Sequence, residues 1–196
     1  RKQSGMNKTR VIFHSIKKIV GTEDLSLLIL TDMANERQLT VVCDADMAHQ
    51  FDLRLAKIPI TGIMLPEALW NMMRIQTGSE YELVIYDVDK GRYEAMPVEQ
   101  HSLQSVKLRA SDAILMSYIS RILLYMEERL YMRQSVPFEE DPHKLTVPVN
   151  AISTDMLKKA LDKAIDEENY ELASHLRDEL LNRNKENNKK EESEGM

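Results

Sequence analysis

The sequence predicts an α+β fold: a mixed sheet with packed helices, followed by a linker and a C-terminal α-helical hairpin. Three observations predict it. Short β-rich runs and amphipathic runs interleave without strict strand–helix alternation, which disfavours a doubly wound parallel sheet. A proline-containing stretch beginning at Ser135 has no apolar period. Two helical stripes separated by a polar turn come after it. The expected boundaries are an α+β domain over residues 8–134, a linker over 135–151, the helical hairpin over 152–184 and a disordered tail over 185–196.

The chain has 196 residues and 43% apolar content, enough for one domain with a real core and an appendage. Its first eighteen residues carry Arg1, Lys2, Lys8, Arg10, Lys17 and Lys18 and no acid. They read as a solvated terminus, with a phosphate-seeking arm as the alternative. "LSLLIL" and "LTVVC" read as two strands around the turn "TDMANERQ". In "DMAHQFDLRLAK" the period changes: Met47, Phe51 and Leu55 recur every four residues, as on an amphipathic helix. "IPITG" breaks it. "PEALWNMMRIQTG" opens with Pro66 in a first turn and closes on Gly78, so a second helix is expected. "YELVIYDVDKGRYEAM" reads as a β-hairpin around Asp89-Lys90-Gly91, and "LQSVKL" as one more strand. A helix is expected from Ser111 to Arg121, then a strand at "ILLY" and a short helix at "EERLYMRQ".

Beyond the linker "SVPFEEDPHKLTVPVN", Leu157, Leu161, Ala164 and Ile165 form one stripe, and Leu172, Leu176 and Leu180 form another. Ser153 or Thr154 caps the first helix, and Glu168-Asn169 makes the turn. About thirty residues bury too little surface to stand alone, so these stripes are expected to be covered by something else. Docking on the chain's own domain is one solution. A partner hairpin, or a second copy in a homo-oligomer, is the other. The polar tail "NKENNKKEESEGM" reads as disordered.

Several function classes are excluded or weakened. The net charge of −6 does not advertise nucleic-acid binding. Cys43 is the only cysteine, which removes intrachain disulfides and cysteine-based zinc sites. The five histidines lack ligand spacing, and no glycine-rich phosphate loop is present. "DVDKG" fails as a calcium loop, because Gly91 and Val98 fall where oxygen ligands are required. No apolar run approaches a membrane span or a signal peptide, so a soluble cytoplasmic protein with no membrane partner is the default expectation.

The segment "LRASDAILMS" holds the candidate chemistry. Ser111 reads as an N-cap, and Asp112 as a first-turn acid favourable to the helix dipole. Arg109 would pair with Asp112 or grip a phosphate. A structural and a catalytic reading of the three both stand at this point.

Two resemblances bear on that choice. "LKKALDKAIDEENYELASHLRDELLNR" resembles the UVR motif of the excision-repair proteins UvrB and UvrC and of some Clp-protease adaptors. Leu161, Ala164, Ile165, Tyr170, Glu171, Ala173, Leu176, Arg177 and Asp178 carry the match. It implies a protein–protein role, one hairpin pairing with another, and a DNA-repair setting. Leu157, Leu161, Ile165, Leu172, Leu176 and Leu180 are then the expected partner-binding residues. "LILTDMANERQLTVV", "IPITG", "YELVIYDVDKGRYEAM", "LRASDAILMS" and "ILLY" resemble the bifunctional nuclease domain, assigned cleavage of DNA and RNA.

That second resemblance implies a nuclease with Mg or Mn as its metal. Arg109 would contact phosphate, Ser111 would position it, and Asp112 would bind the metal or activate water. The sequence departs from the family where it matters. Met47 replaces a glutamate, Gly62 and Ile63 replace a histidine and an aspartate after Thr61, and Lys107 replaces an aspartate. Thr40 and Asp44 stand where the family's strand ends in a proline run and a glycine. Asp112 is nearly the only carboxylate left at the matched positions, with Asp44 and Asp46 near the vacated glutamate. The alternative is therefore a degenerate adaptor that keeps the nuclease scaffold and recruits a partner through its hairpin.

Overall fold

The computed structural model of the chain describes residues 6–19, 25–77, 81–99, 106–141 and 144–194. Its strands are β1 Lys8–Lys18, β2 Leu25–Asp32, β3 Arg37–Asp44, β4 Tyr81–Asp89, β5 Arg92–Glu99, β6 Leu108–Arg109, β7 Leu123–Glu127 and β8 Val136–Pro137. They form one sheet in the order β6-β5-β4-β7-β1-β2-β3-β8. β4 pairs with β7 in parallel, while β1 pairs antiparallel with β2 and β7, and β2 with β3. The fold is thus α+β on a mixed sheet.

β2 shows why this sheet has a core. Leu27, Leu28, Ile29 and Leu30 are all buried, so both faces of the strand are covered. Over the sheet lie α1 Ala45–Leu55, α3 Ala110–Ser120 and α4 Glu128–Gln134. They bury Met47 and Phe51, Ala113 and Ile114, and Leu130 and Tyr131. α2 Leu65–Thr77 follows a 3₁₀ turn at Pro59–Ile63. It is moored to α1 by the fork of Arg54 on Glu67, both bonds 2.8 Å. Gly78, expected to close α2, and the first half of "LQSVKL" lie outside the described residues; of the second half only Leu108 falls in a strand.

Three expectations are corrected. Within the basic N-terminal stretch, residues 8–18 are an eleven-residue strand lying between β7 and β2, not a solvated arm. Val11 is fully buried, while the cations Lys8, Arg10, Lys17 and Lys18 keep their heads near solvent. Lys8 pairs with Glu82 and sits 4.4 Å above the Tyr125 ring. The expected linker is largely held: Gln38 pairs with Val136, Phe138 N–H donates to Glu36 at 2.9 Å, and Thr40 Oγ1 donates to Thr146 O at 2.9 Å. Each bond ties the segment to β3 or to the turn before it. The expected disordered tail is helix as far as Glu194. It is rich in Lys and Glu and free of Gly and Pro until Gly195, so nothing stops propagation.

The chain divides into two compact units, residues 1–87 with 93–146, and residues 88–92 with 147–196. The second unit contains a 3₁₀ turn at Val149–Ala151, α5 Thr154–Asp166 and α6 Tyr170–Glu194. Ser153 caps α5, accepting from Met156 N at 3.3 Å. Glu168 takes φ 57° in the turn, and Asn169 Oδ1 caps α6 through Leu172 N at 3.2 Å. The tip of the β4–β5 hairpin belongs to this unit. Gly91 there has φ 83°, and a Cβ on it would stand 2.0 Å from the Ile152 carbonyl oxygen. Only glycine meets both the left-handed backbone and that close approach.

Candidate functional site

The residues singled out by the sequence lie where β6 runs into α3. Arg109 has extended backbone, φ −66° and ψ 143°, and is itself the N-cap of α3, without a side-chain cap bond. Ser111 is therefore inside the first turn and buried, not the cap expected of it. The helix begins one residue earlier than its sequence signal. Asp112 does occupy the first turn.

Arg109 forks onto Asp112, Nε to Oδ2 at 2.6 Å and an Nη to Oδ1 at 3.1 Å. Its other Nη reaches Asp44 Oδ2 at 3.3 Å. Asp44 ends β3 and caps α1, where its Oδ1 accepts from Met47 N at 2.8 Å. Both oxygens of Asp44 and both of Asp112 are thus engaged. The hydrogen bond that Arg109 donates to Asp112, with help from Asp44, holds the guanidinium above its ordinary pKa despite some burial. The three side chains are 38–60% exposed, so the cluster is solvated and its pairs are weak.

A second cluster lies beside it. Glu94, opposite Arg109 across β5–β6, accepts from Tyr86 Oη at 2.7 Å and from Lys107 Nζ at 3.3 Å. The Glu94 carboxylate raises the Lys107 pKa. An apolar cleft of about 240 Å³ opens between α2 and α3, lined by Leu65, Leu69, Trp70, Leu115 and Met116, with Asp112 at its wall.

The donor set does not suit a divalent metal. A hard cation needs several free oxygens. Here the two carboxylates that come together share an arginine, which such an ion would have to displace. Among the described residues no three His, Cys, Asp or Glu side chains gather within ligating reach. The remaining positions of the nuclease resemblance are used locally. Met47 is buried in the core, Thr61 Oγ1 donates to Ile58 O at 2.9 Å within its 3₁₀ turn, and Gly62 and Ile63 are exposed on that turn. Arg109, the expected phosphate contact, is shared between two carboxylates.

The hairpin is the other candidate. Leu157, Ala164, Ala173 and Leu176 close a small core between α5 and α6, with Val149, Ile152, Leu161 and Leu180 packed on it. Arg183 seals the open end. It is 4% exposed, and it donates to Glu179 at 2.8 Å, Thr154 Oγ1 at 3.3 Å and the Val149 carbonyl at 3.4 Å. Sequence reasoning missed Arg183, although its i,i+4 spacing from Glu179 was a usable signal. The six leucine and isoleucine positions therefore divide. Leu157 and Leu176 are internal, Leu161 and Leu180 half-buried, and Ile165 and Leu172 exposed by 51% and 42%. The stripes cover each other, contrary to the expectation that they need an outside surface.

Residues 155–182 match the family model of the UvrB/uvrC motif. That match spans nearly all of the α5–α6 pairing and stops short of the last turns of α6. No curated protein matches the chain, and the family match does not extend to the residues of the bifunctional-nuclease resemblance. No helix among the described residues is long and apolar enough to cross a membrane.

Proposed function

We propose that this protein is a non-catalytic association protein whose C-terminal hairpin pairs with a like hairpin, in another protein or in a second copy. One observation carries the reading. The hairpin has closed its own core, yet Ile165, Tyr170 and Leu172, which flank its turn, remain 51%, 67% and 42% exposed. Three large apolar groups at one end of a charge-rich hairpin, with Leu181 also 49% exposed further along α6, favour contact with another surface. The match to the UvrB/uvrC motif supports a hairpin as that surface.

The test is a titration of the purified chain against a protein bearing a UvrB-type hairpin, and against itself. Ile165→Glu with Leu172→Glu is the partner variant; both sites are solvated, so the fold is retained. Binding is expected for the wild type and a drop of at least about tenfold for the variant. No binding in either titration, or binding indifferent to the substitutions, would sink the proposal.

A second reading, phosphodiester hydrolysis, rests on the meeting of Asp44 and Asp112 at Arg109. It requires cleavage of RNA or DNA by purified protein with Mg²⁺ or Mn²⁺, abolished by Asp112→Asn. The saturated carboxylates favour no cleavage.

A further inference from the structure

The α+β unit has an exposed apolar surface of its own. Along α2, Leu65, Leu69, Met72 and Ile75 recur at i, i+4, i+7 and i+10, one face of a helix. They are 78%, 46%, 59% and 82% exposed. Ile58, Ile60 and Ile63, in and beside the 3₁₀ turn leading into α2, are 39%, 53% and 78% exposed. Summed over these seven residues, roughly 800 Å² is left exposed, against 300–600 Å² for the largest patch on a typical monomer. It also matches the roughly 800 Å² that each partner contributes to a standard interface.

The helix itself points the same way. Its thirteen residues lie at the length where an isolated helix is marginal, so packing must hold it. None of its described residues is fully buried. What anchors it is the Arg54–Glu67 fork and a loose contact with α3 over the 240 Å³ cleft. A helix that needs cover in order to stay folded needs it permanently. A second copy of the chain is the partner always present at matching concentration. A single exposed ridge also satisfies the symmetry of a two-fold interface, in which the same patch meets itself.

We infer that the band from Ile58 to Ile75 is a homodimer interface, with α2 packed against α2 of a second copy. A lipid surface is the less suitable occupant. Between Ile58 and Ile75 the only cation is Arg74, where a membrane-surface helix carries many.

The test uses the full chain carrying Ile165→Glu and Leu172→Glu, so that association through the hairpin is already removed. Sedimentation should give about 45 kDa, twice the chain mass of 22.7 kDa. Adding Leu69→Glu and Met72→Glu should raise the dimer dissociation constant at least about 100-fold, because the charges would be desolvated unpaired. A second measurement does not depend on how well that variant folds. Cys43 is buried, so Met72→Cys supplies one reactive thiol, and a bis-maleimide spacer should link it to its copy. A monomer at high micromolar concentration in the hairpin background would overturn the inference. So would a dimer indifferent to the α2 charges, absence of the cross-link, or a monomer that floats with phosphatidylcholine–phosphatidylserine vesicles. Loss of association from the hairpin substitutions alone would refute the interface while leaving the hairpin reading intact.

Discussion

Substitution of the two aspartates that meet Arg109 separates a structural cluster from a catalytic one. Asp44 has two jobs, and they can be removed separately. Asp44→Ala deletes the α1 cap, whose bond to Met47 N is 2.8 Å, at a cost of about 1 kcal/mol. It also deletes the 3.3 Å contact with Arg109, between side chains 60% and 53% exposed, worth a few tenths of a kcal/mol at most. Asp44→Asn keeps the cap and loses only the second part. Asp112→Asn removes a first-turn acid, about 0.3–1 kcal/mol, and weakens an exposed i,i+3 fork worth a few tenths. The expected order of destabilisation is thus Asp44→Ala first, Asp112→Asn second and Asp44→Asn last. With a urea slope of about 3 kcal/mol per M for this size, the midpoint shifts are about 0.4, 0.25 and 0.1 M. Trp70, the only tryptophan, lies on α2 and reports the transition. A working carboxylate site is generally strained, so neutralising one acid there stabilises the fold. A rise in midpoint for Asp112→Asn would refute the structural account, as would equal losses for Asp44→Ala and Asp44→Asn.

Two other outcomes follow from the structure. Gly91→Ala should destabilise residues 147–194 by more than about 2 kcal/mol, because it forces a Cβ into left-handed backbone and toward the Ile152 carbonyl; hydrogen exchange in α5 and α6 should rise, whereas Lys90→Gly, at φ 48°, should be tolerated. Burial pushes the Tyr93 and Tyr131 phenols up to about 12, with the Asp32 carboxylate adding to the effect at Tyr131. Both folded values lie above the unfolded one near 10, so the stability they contribute is whole below pH 10 and drains away between pH 10 and 12. The loss is about 1.4 kcal/mol per pH unit for each tyrosine, and a denaturation series at alkaline pH checks it, with Tyr93→Phe removing one share.

The strong local signals were legible. "LSLLIL", the turn at Lys90-Gly91 and the four-residue recurrence from Met47 to Leu55 each fix an element through backbone chemistry or periodicity alone. β1 was hidden by its cations. A charge-rich composition reads as solvated, yet Lys8 and Arg10 alternate with buried or half-buried neighbours on a strand whose inward member is Val11. β8 has two residues and cannot carry a period, so only its hydrogen bonds to β3 betray it. The far half of α6 is polar on every side, and helix propensity rather than a stripe sustains it.

The site was legible only as far as its local part. Arg109 and Asp112 are three residues apart in a helix start, so their pairing follows from spacing. Asp44 lies 65 residues away and enters through the fold, which brings the end of β3 beside the end of β6. It binds the guanidinium that a phosphate would need and spends its other oxygen on α1.

The stripes of α2, α5 and α6 look alike in sequence, and the fold treats them differently for a reason the chain itself supplies. α5 is followed within a few residues by a second stripe of matching length, so a tight turn at Glu168-Asn169 lets Leu157 and Leu176 bury one another. α2 has no such neighbour. It is preceded by isoleucines in a 3₁₀ turn and followed, beyond residues 78–80, by β4, whose apolar residues Leu83, Val84 and Ile85 are already buried within the α+β unit. Among the described residues of the α+β unit, the apolar face of α2 stays exposed. Hydrophobic burial is indifferent to which chain provides the covering surface. On the homodimer inference, the exposed stripe of α2 is therefore where this protein's sequence specifies another molecule.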